Sequence, residues 1–225
     1  MKSGTKVRER LTRDRVIDAA LHVMDAEGLE AVSMRRVARE VGVEAMSLYN
    51  HVRDKDDLLE ALCIRVMSEL EFPQRHGDWV ESARFAANEW RRVLKQHPNV
   101  VSLFAGHAEP MTHPDGLRPM EFALGLLREG GLSDRDAARV FNVMGGYIMG
   151  FVLMEVGQMF GAGALDKRAP DPGELARLMP LEELPNIAAT LPHLAECDPD
   201  DMFNLGFDML IAGQAALFGG AAAEA

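Results

Sequence analysis

The segment from residue 33 to residue 55 reads SMRRVAREVGVEAMSLYNHVRDK, and its pattern predicts two short helices joined by a glycine turn. Ser33 is a suitable N-cap for the first helix, whose inner face would contain Val37, Ala38 and Val41. Gly42 is expected to end that helix, because the residue after a helix often adopts the left-handed conformation that glycine reaches easily. Two short helices joined in this way form a helix-turn-helix.

In the second helix of the pair, Leu48 and Val52 continue an apolar stripe with a spacing of four residues. Six neighbouring residues fall outside this stripe and are free to face a partner: Ala45, Met46, Ser47, Tyr49, Asn50 and His51. A helical hairpin inside a protein core is the alternative, and the polar Ser, Tyr, Asn and His side chains argue against it. The pattern therefore favours a helix-turn-helix that reads DNA.

Helices are also predicted on both sides of this pair. Upstream, six apolar residues recur at helical spacing, and Gly28 ends the helix that they define. Downstream, Asp54 is a natural cap for a helix that begins at Lys55. We therefore expect four helices in succession between residues 12 and 70, of which the first three form an N-terminal helix-turn-helix head.

The stretch from Leu11 to Leu62 resembles the DNA-binding head of the tetracycline repressor (TetR) family. The resemblance implies a homodimeric repressor that binds duplex operator DNA and that a small molecule releases. A weaker resemblance continues at Gly131-Leu132-Ser133 and at Gly150-Phe151-Val152-Leu153. The marks in the head are the Gly28 turn, the spacing from Ala38 to Gly42, and the groups Ser47-Leu48-Tyr49, His51-Val52 and Asp54-Lys55.

The resemblance assigns phosphate contacts to Tyr49, His51 and Lys55. Lys55 would combine its own charge with the positive end of the helix that it begins. Phosphate contacts fix the register of a protein on DNA without reading sequence. The basic segment from Lys2 to Arg15 could add backbone or minor-groove contacts, and a disordered solubilising tail is the alternative for it.

Base reading would then fall to Ala45, Met46 and Ser47, with Arg35 from the preceding helix and with Asn50. An arginine can bind a guanine edge through two hydrogen bonds, and small apolar side chains pack on thymine methyl groups. In the tetracycline repressor a glutamine, a proline and a tryptophan correspond to Ala45, Met46 and Asn50. We therefore expect a different operator.

Charge is distributed unevenly along the chain, whose formal net charge is −11. Residues 1–55 contain eleven Lys and Arg against nine Asp and Glu, which gives +2 and leaves −13 for the remainder. An acidic body would orient the basic end toward a polyanion, because phosphate contact requires local positive charge rather than a basic total. The asymmetry supports the head as the DNA-facing end.

Composition indicates a cytoplasmic protein. The chain contains two cysteines, Cys63 and Cys197, without a spacing that suggests a disulfide framework or a zinc knuckle. The amino terminus is polar and basic and has no apolar stretch of the kind found in signal peptides. The segment from Phe141 to Leu165 is apolar but contains Glu155 and several glycines, so it is interpreted as a buried bundle helix and its exit loop rather than a membrane span.

The remainder of the chain shows helical patterns and no strand pattern, so the expected fold class is all-α. We expect a DNA-binding domain at residues 1–56 and a larger helical domain for effector binding and dimerisation at residues 57–225. Loops are expected around Pro110, Pro114 and Gly116 and at residues 161–180. The predicted helices run from about Trp79 to Leu94, Asn99 to Phe104, Met120 to Leu127, Ser133 to Val152, Asn186 to Leu194 and Pro199 to Phe218.

Dimerisation is expected because one recognition helix covers a single half-site, and half-sites lie roughly 34–36 Å apart on the duplex. By resemblance, the helices near 133–158 and 199–218 would pair with their copies in a second subunit. Close helix packing within one subunit is the alternative. The glycines that would permit close approach are Gly145, Gly146, Gly150, Gly157, Gly206 and Gly213.

The effector pocket is the least defined part of the sequence. The positions that bind a magnesium-chelated drug in the tetracycline repressor fall on Ala86, Phe104, Ala123 and Met154, so we expect neither a metal nor another cofactor. The effector would be an apolar or aromatic small molecule with one polar contact from His107. An ordinary hydrophobic core is the alternative. The other candidates are Met67, Trp90, Met120, Leu124 and Phe141.

Two other classes of function fit the sequence less well. An enzyme is not expected, because the chain lacks a nucleophile elbow, a phosphate-binding loop and a metal-spaced pair of histidines. His107 and His113 lie six residues apart in a predicted loop, and Cys197 is remote from both. A helical interaction or regulatory module that acts without an inducer is the alternative to the ligand-responsive repressor. If such a module never contacted DNA, substitutions at Tyr49 and Lys55 would leave its activity unchanged.

Overall fold

The computed structural model describes residues 10–72, 78–106, 113–156, 177, 179–194 and 196–218, and all regular structure in these ranges is helical. The all-α prediction is confirmed. A single 3₁₀ turn at Leu29–Ala31, which the sequence pattern does not predict, follows the first helix. The helices are α1 (Arg13–Glu27), α2 (Met34–Val41), α3 (Ala45–Leu48), α4 (Lys55–Met67), α5 (Trp79–Gln96), α6 (Pro98–Gly106), α7 (Pro114–Glu129), α8 (Asp134–Glu155), α9 (Pro185–Leu194) and α10 (Pro199–Phe218).

Contacts between residues divide the chain into two compact units. The first unit comprises the residues up to Glu71 together with His97–Pro119, and the second comprises Phe72–Gln96 and the residues from Met120 onward. The first unit therefore contains α1 to α4 and α6. The domain boundary at residues 56 and 57 stays a prediction.

The caps that the sequence predicts around the helix-turn-helix are present. The Ser33 hydroxyl accepts a hydrogen bond from the Arg36 N–H at 3.2 Å, and the Asp54 carboxylate accepts one from the Asp57 N–H at 2.8 Å. Gly42 has φ 78° and ψ 37°, the left-handed conformation that residues with a side chain rarely adopt. These three residues fix where α2 ends and where α2 and α4 begin.

Helix α3 is shorter than the predicted second helix of the pair. It ends at Leu48, and the chain continues through a turn to Val52. Leu48 and Val52 are both buried, so the predicted apolar stripe is correct although its second residue lies beyond the helix. The rest of this core comes from α1, α2, α4 and the residue that follows the 3₁₀ turn, and it includes Val16, Ala20, Val23, Met24, Val32, Val37, Leu58 and Leu62.

Helix α6 is joined to the same unit by polar contacts at its start. Nδ1 of His97 lies 2.8 Å from the Asp25 carboxylate on α1, and its Nε2 lies 3.0 Å from the Glu69 carboxylate just after α4. The Asn99 amide donates to the Met24 carbonyl at 2.9 Å. The beginning of α6 is thus connected to the C-terminal ends of α1 and α4.

In the second unit, α5 packs on α8 and α10 around a buried arginine. Arg91 donates two hydrogen bonds of 2.7 Å to Glu155 and forms an ion pair of 2.7 Å with Asp200. Its guanidinium lies 4.8 Å from the centre of the Phe203 ring. Burial opposes ionisation of Glu155, but its hydrogen bonds with Arg91 and Lys95 outweigh burial and lower its pKa. A buried charge requires such partners.

Helix α7 begins earlier than the sequence pattern predicts, so the predicted loop around Pro114 and Gly116 is wrong. Pro114 and Gly116, which the sequence pattern places in a loop, lie in its first turn, and Pro119 lies inside it. A proline is tolerated at the start of a helix because the first N–H groups have no helical partner. One of these N–H groups, that of Asp115, donates to Nδ1 of His113 at 3.3 Å. Pro110 and residues 161–176 of the other predicted loop lie outside the described residues.

Among the described helices, α8 alone is long and apolar enough to cross a membrane by those two criteria. Its most apolar window has a mean hydropathy of 1.4, and 28% of that window is buried within the protomer. The core helix of a soluble protein passes the same test. The low buried share shows that much of α8 is left uncovered by the residues that the structure describes.

The glycines of α8 and α10 fall into two groups. A Cβ at Gly145, Gly146, Gly150 or Gly213 would meet no atom of the described residues within 4 Å, so no described side chain occupies these positions. At Gly206 the Tyr147 ring occupies the space of a Cβ, and its hydroxyl donates to the Phe203 carbonyl at 2.8 Å. For Gly206 the alternative of close packing within one subunit is correct. Gly157 lies outside the described residues.

Gly206→Ala is expected to destabilise the second unit by about 1–3 kcal/mol, since overpacking forces the Tyr147 ring away from its hydrogen bond. Gly125→Ala is the matched control, because a methyl group there meets no atom within 4 Å. The control should be neutral or more stable, as alanine is the better helix former. Thermal unfolding followed by circular dichroism measures both variants. Equal melting temperatures for wild type and Gly206→Ala would contradict the packing described here.

Candidate functional site

The residues predicted to face DNA lie between α2 and the first residue of α4, and most of them are exposed. Arg35, Asn50 and Lys55 are exposed, and Met46 and Tyr49 have exposed fractions of 74% and 47%. Large apolar and aromatic side chains with such exposure on an otherwise well-packed unit indicate a surface that meets a partner. The other three predicted residues, Ala45, Ser47 and His51, are half-buried.

The two arginines of α2 differ in their availability. Arg36 donates to Glu27 through Nε at 2.9 Å and to Glu40 through Nη1 at 2.8 Å, and these hydrogen bonds raise its pKa. The side chain of Arg35 has no hydrogen bond or ion pair to any residue that the structure describes. The structure therefore leaves Arg35, the predicted base-reading residue, able to reach a ligand, while Arg36 connects α2 to α1.

Lys55 is the first residue of α4, a helix of 13 residues, and its side chain is exposed. The unpaired N–H groups of a helix start attract anions, and the charge of a lysine adds to that attraction. The turn before α4 also carries Arg53, whose side chain is exposed. In the sequence Arg53 contributes only to the count of positive charges, yet it lies between Tyr49 and Lys55 and is a further candidate for phosphate contact.

Asp57, in the first turn of α4, has a buried carboxylate. Its side chain is 10% exposed and accepts hydrogen bonds from Arg13 at 2.9 Å and from the Arg53 N–H at 2.8 Å. The Arg13 hydrogen bond lowers the pKa of Asp57, although burial opposes this. A carboxyl whose pKa falls on folding stabilises the fold at pH values above its ordinary pKa of about 3.9. This stabilisation is lost as the pH falls through the pKa of the folded state.

The candidate effector residues are divided between the two units. Met67 and Phe104 belong to the first unit and are buried and half-buried, respectively. His107, the predicted polar contact, lies outside the described residues. No group of three or more His, Cys, Asp or Glu side chains in the described ranges is arranged to hold a metal ion. In the second unit Ala86 is buried, Met120 is exposed, and Trp90, Ala123, Leu124, Phe141 and Met154 are half-buried.

Two family models match the chain. Residues 16–62 match the model described as bacterial regulatory proteins, tetR family. Residues 72–218 match the model described as tetracyclin repressor-like, C-terminal domain. The second match alone spans more than half of the chain. Together they cover the helix-turn-helix and all the described helices of the second unit.

Curated relatives agree with these matches. The repressor DrrR1 of Streptomyces coeruleorubidus is 37% identical over 142 residues, and the match covers 62% of this chain. The match covers only 52% of DrrR1, or about half its length. The class D tetracycline repressor protein of Escherichia coli is 29% identical over 209 residues, with 91% of this chain and 89% of that protein covered. The relatives named here are transcriptional regulators.

Solved structures extend the similarity to the whole fold. Apo ActR from Streptomyces coelicolor has a TM-score of 0.77 and 31% identity, with 95% of this chain and 99% of ActR covered. The structure of ActR in complex with actinorhodin has a TM-score of 0.74 and 30% identity, with 92% of this chain and 98% of ActR covered. Each match covers at least 92% of this chain.

Proposed function

This chain belongs to the tetR family of bacterial regulatory proteins, and from that premise we propose that it is a homodimeric repressor released from its operator by an apolar or aromatic small molecule. It is a DNA-binding regulator and not an enzyme, and we propose that it acts in the cytoplasm. The observation that carries the proposal is the exposed surface from Arg35 to Lys55, held by buried Leu48 and Val52.

Two kinds of contact with operator DNA are proposed on this surface. Tyr49, His51 and Lys55 bind phosphates and set the register of the head, and the exposed Arg53 joins them. Base edges are read from the start of α3 and from α2. Because Met46 is apolar and exposed, we propose that it packs on thymine methyl groups. The base-reading set is Arg35, Ala45, Met46, Ser47 and Asn50.

The homodimer is proposed on α8 and α10, which pack on each other within the second unit. Both helices carry large apolar side chains that the protomer leaves between 56% and 78% exposed. Uncovered apolar surface of this kind marks an interface, and the open glycines of the same helices permit close approach of a second copy. The exposed residues are Val143 on α8 and Leu205, Met209 and Leu217 on α10.

An apolar or aromatic effector is proposed because the predicted pocket residues offer few polar groups. The predicted set consists of alanines, methionines, a leucine and aromatic residues with a single histidine. A relative of 30% identity, ActR, is known in complex with actinorhodin. Burial would supply most of the affinity in such a site.

We propose that effector binding is coupled to release of the operator by movement of α4 and α6. Helix α4 begins at Lys55 and ends next to Glu69, whose carboxylate lies 3.0 Å from His97 at the start of α6. A ligand that favours a different position of α6 would shift the end of α4 and thereby move the head at its other end. The effect on operator affinity can be no larger than the difference in ligand affinity between the two states.

Thermal-shift screening tests the effector proposal. Apolar and aromatic compounds, with actinorhodin as one of the probes, are expected to raise the melting temperature and to weaken binding of the intergenic duplex beside the gene in a gel shift. Binding stabilises the state that binds, by an amount set by the ratio of ligand concentration to Kd. Tetracycline with magnesium is the control and should have no effect. Stabilisation by the chelate alone would overturn the assignment, and an unchanged operator affinity with every stabilising compound would overturn the release mechanism.

A further inference from the structure

The turn between α3 and α4 and the first residue of α4, together residues 49–55, carry the proposed phosphate contacts and are here called the anchor turn. Its backbone is held from outside the turn by two side chains. Nη1 of Arg13, on α1, donates to the His51 carbonyl at 2.6 Å, and Nη2 of Arg13 donates to the Asp57 carboxylate at 2.9 Å. The other oxygen of Asp57 accepts the Arg53 N–H at 2.8 Å. One arginine and one aspartate thus fix two points of the anchor turn.

We infer that Arg13 and Asp57 are positioning residues for DNA binding, which hold the anchor turn in the geometry that phosphates require without touching phosphate themselves. The inference rests on the proposed function of the anchor turn. Asp57 has a buried carboxylate and no means of attracting DNA. The Arg13 side chain is exposed, but its guanidinium donates to the His51 carbonyl and the Asp57 carboxylate. Their neighbours in the turn supply the groups that bind.

The position of Asp57 provides an unusual test, because charge and positioning predict opposite results. A carboxylate close to bound phosphates repels them, so its removal should strengthen DNA binding if charge alone matters. If Asp57 positions the anchor turn, its removal should weaken binding even though a negative charge is removed. Asp57→Asn therefore separates the two explanations by the sign of its effect.

Glu27→Gln is the matched control for Asp57→Asn. Glu27 also pairs with an arginine of the same unit, since it accepts a hydrogen bond from Nε of Arg36 at 2.9 Å. The control removes the same charge and the same kind of ion pair, but it leaves the hydrogen bonds of the anchor turn in place. It should bind DNA as tightly as the wild type or more tightly.

Arg13→Lys separates a positioning arginine from one that touches phosphate. Lysine keeps the positive charge but lacks the planar fork that binds the His51 carbonyl and the Asp57 carboxylate together. A residue that contacts phosphate directly should tolerate this change. A positioning residue should not. Because Arg13→Lys and Asp57→Asn disturb the same interaction, the double variant should bind no more weakly than the weaker-binding single variant.

The experiment measures binding of the full-length protein to a duplex that the wild type selects from random-sequence DNA, at salt concentrations from about 50 to 200 mM. Asp57→Asn and Arg13→Lys are each expected to weaken binding about tenfold, a typical effect of removing one side of a hydrogen-bonded charge pair. The slope of log affinity against log salt should fall in magnitude by about one for each phosphate that the variant no longer binds. Circular dichroism confirms that each variant is folded at the assay temperature, and Asp57→Glu, which keeps the carboxylate, should recover part of the affinity.

The outcomes distinguish this inference from the function on which it rests. If the wild type binds no duplex at low salt, the proposed function fails. If the wild type binds and Asp57→Asn binds as tightly as Glu27→Gln, the positioning inference fails and the proposed function stands. Wild-type affinity for Arg13→Lys would likewise overturn the role given to Arg13. Weaker binding with an unchanged salt slope would show that the phosphates are still bound and would also contradict the inference.

Discussion

Met209→Arg is expected to convert the dimer into a monomer and to weaken operator binding by at least about a hundredfold. Met209 is 64% exposed on α10 in the protomer and lies on the face proposed to meet a second copy. In a two-fold interface a single substitution appears twice, so two arginines would be placed in one apolar contact. Burial of an unpaired charge is strongly unfavourable, and dissociation avoids it.

The weaker DNA binding follows from the geometry of the operator. Once one head is bound, the second head of a dimer finds its half-site at a high effective concentration, which a monomer lacks. Leu117→Arg is the control, because Leu117 is an exposed leucine on α7 and lies outside the proposed interface. Light scattering after size-exclusion chromatography measures the mass, and fluorescence anisotropy measures operator affinity. A Met209→Arg protein that remains dimeric would show that α8 and α10 are not the interface. A monomer with wild-type affinity would show that dimerisation is not required.

The parts of the fold that the sequence predicts are those set by neighbouring residues. Ser33 and Asp54 act on N–H groups three residues away, and Gly42 satisfies a backbone angle at its own position. Such local signals can be interpreted from the sequence without knowledge of the tertiary structure. Helix α7 shows their limit, because Pro114 can mark either a loop or the first turn of a helix.

Contacts between distant residues could not be predicted. Arg13 and Asp57 are separated by 44 positions, and Arg91 and Glu155 by 64. In a single sequence each of these residues is indistinguishable from the solvated charges around it, and only packing shows which carboxylate is buried. The effector site stays a prediction for a related reason. Apolar residues at helical spacing are compatible with both a pocket and a core, and spacing alone does not separate the two.

Lys55→Ala and Arg35→Ala are expected to weaken operator binding in different ways. Lys55 is proposed to bind phosphate, so its removal should lower affinity for every duplex by a similar factor, about tenfold or more for the two heads of a dimer. The salt slope should fall in magnitude by about two, one phosphate for each head. Alanine at the first position of α4 is a good helix former, so the variant should fold.

Arg35 is proposed to read a base, so its removal should reduce discrimination rather than general affinity. The preference for one base pair in each half-site should fall by about 1–3 kcal/mol, while binding to unrelated duplexes changes only through the removal of one charge. Arg118→Ala, which removes an exposed arginine from α7, controls for that charge. A panel of operators with single base-pair changes distinguishes the two variants. Because phosphates are identical in every sequence and base edges are not, a Lys55→Ala protein with altered base preference would contradict the roles assigned here. An Arg35→Ala protein with unaltered preference would contradict them as well.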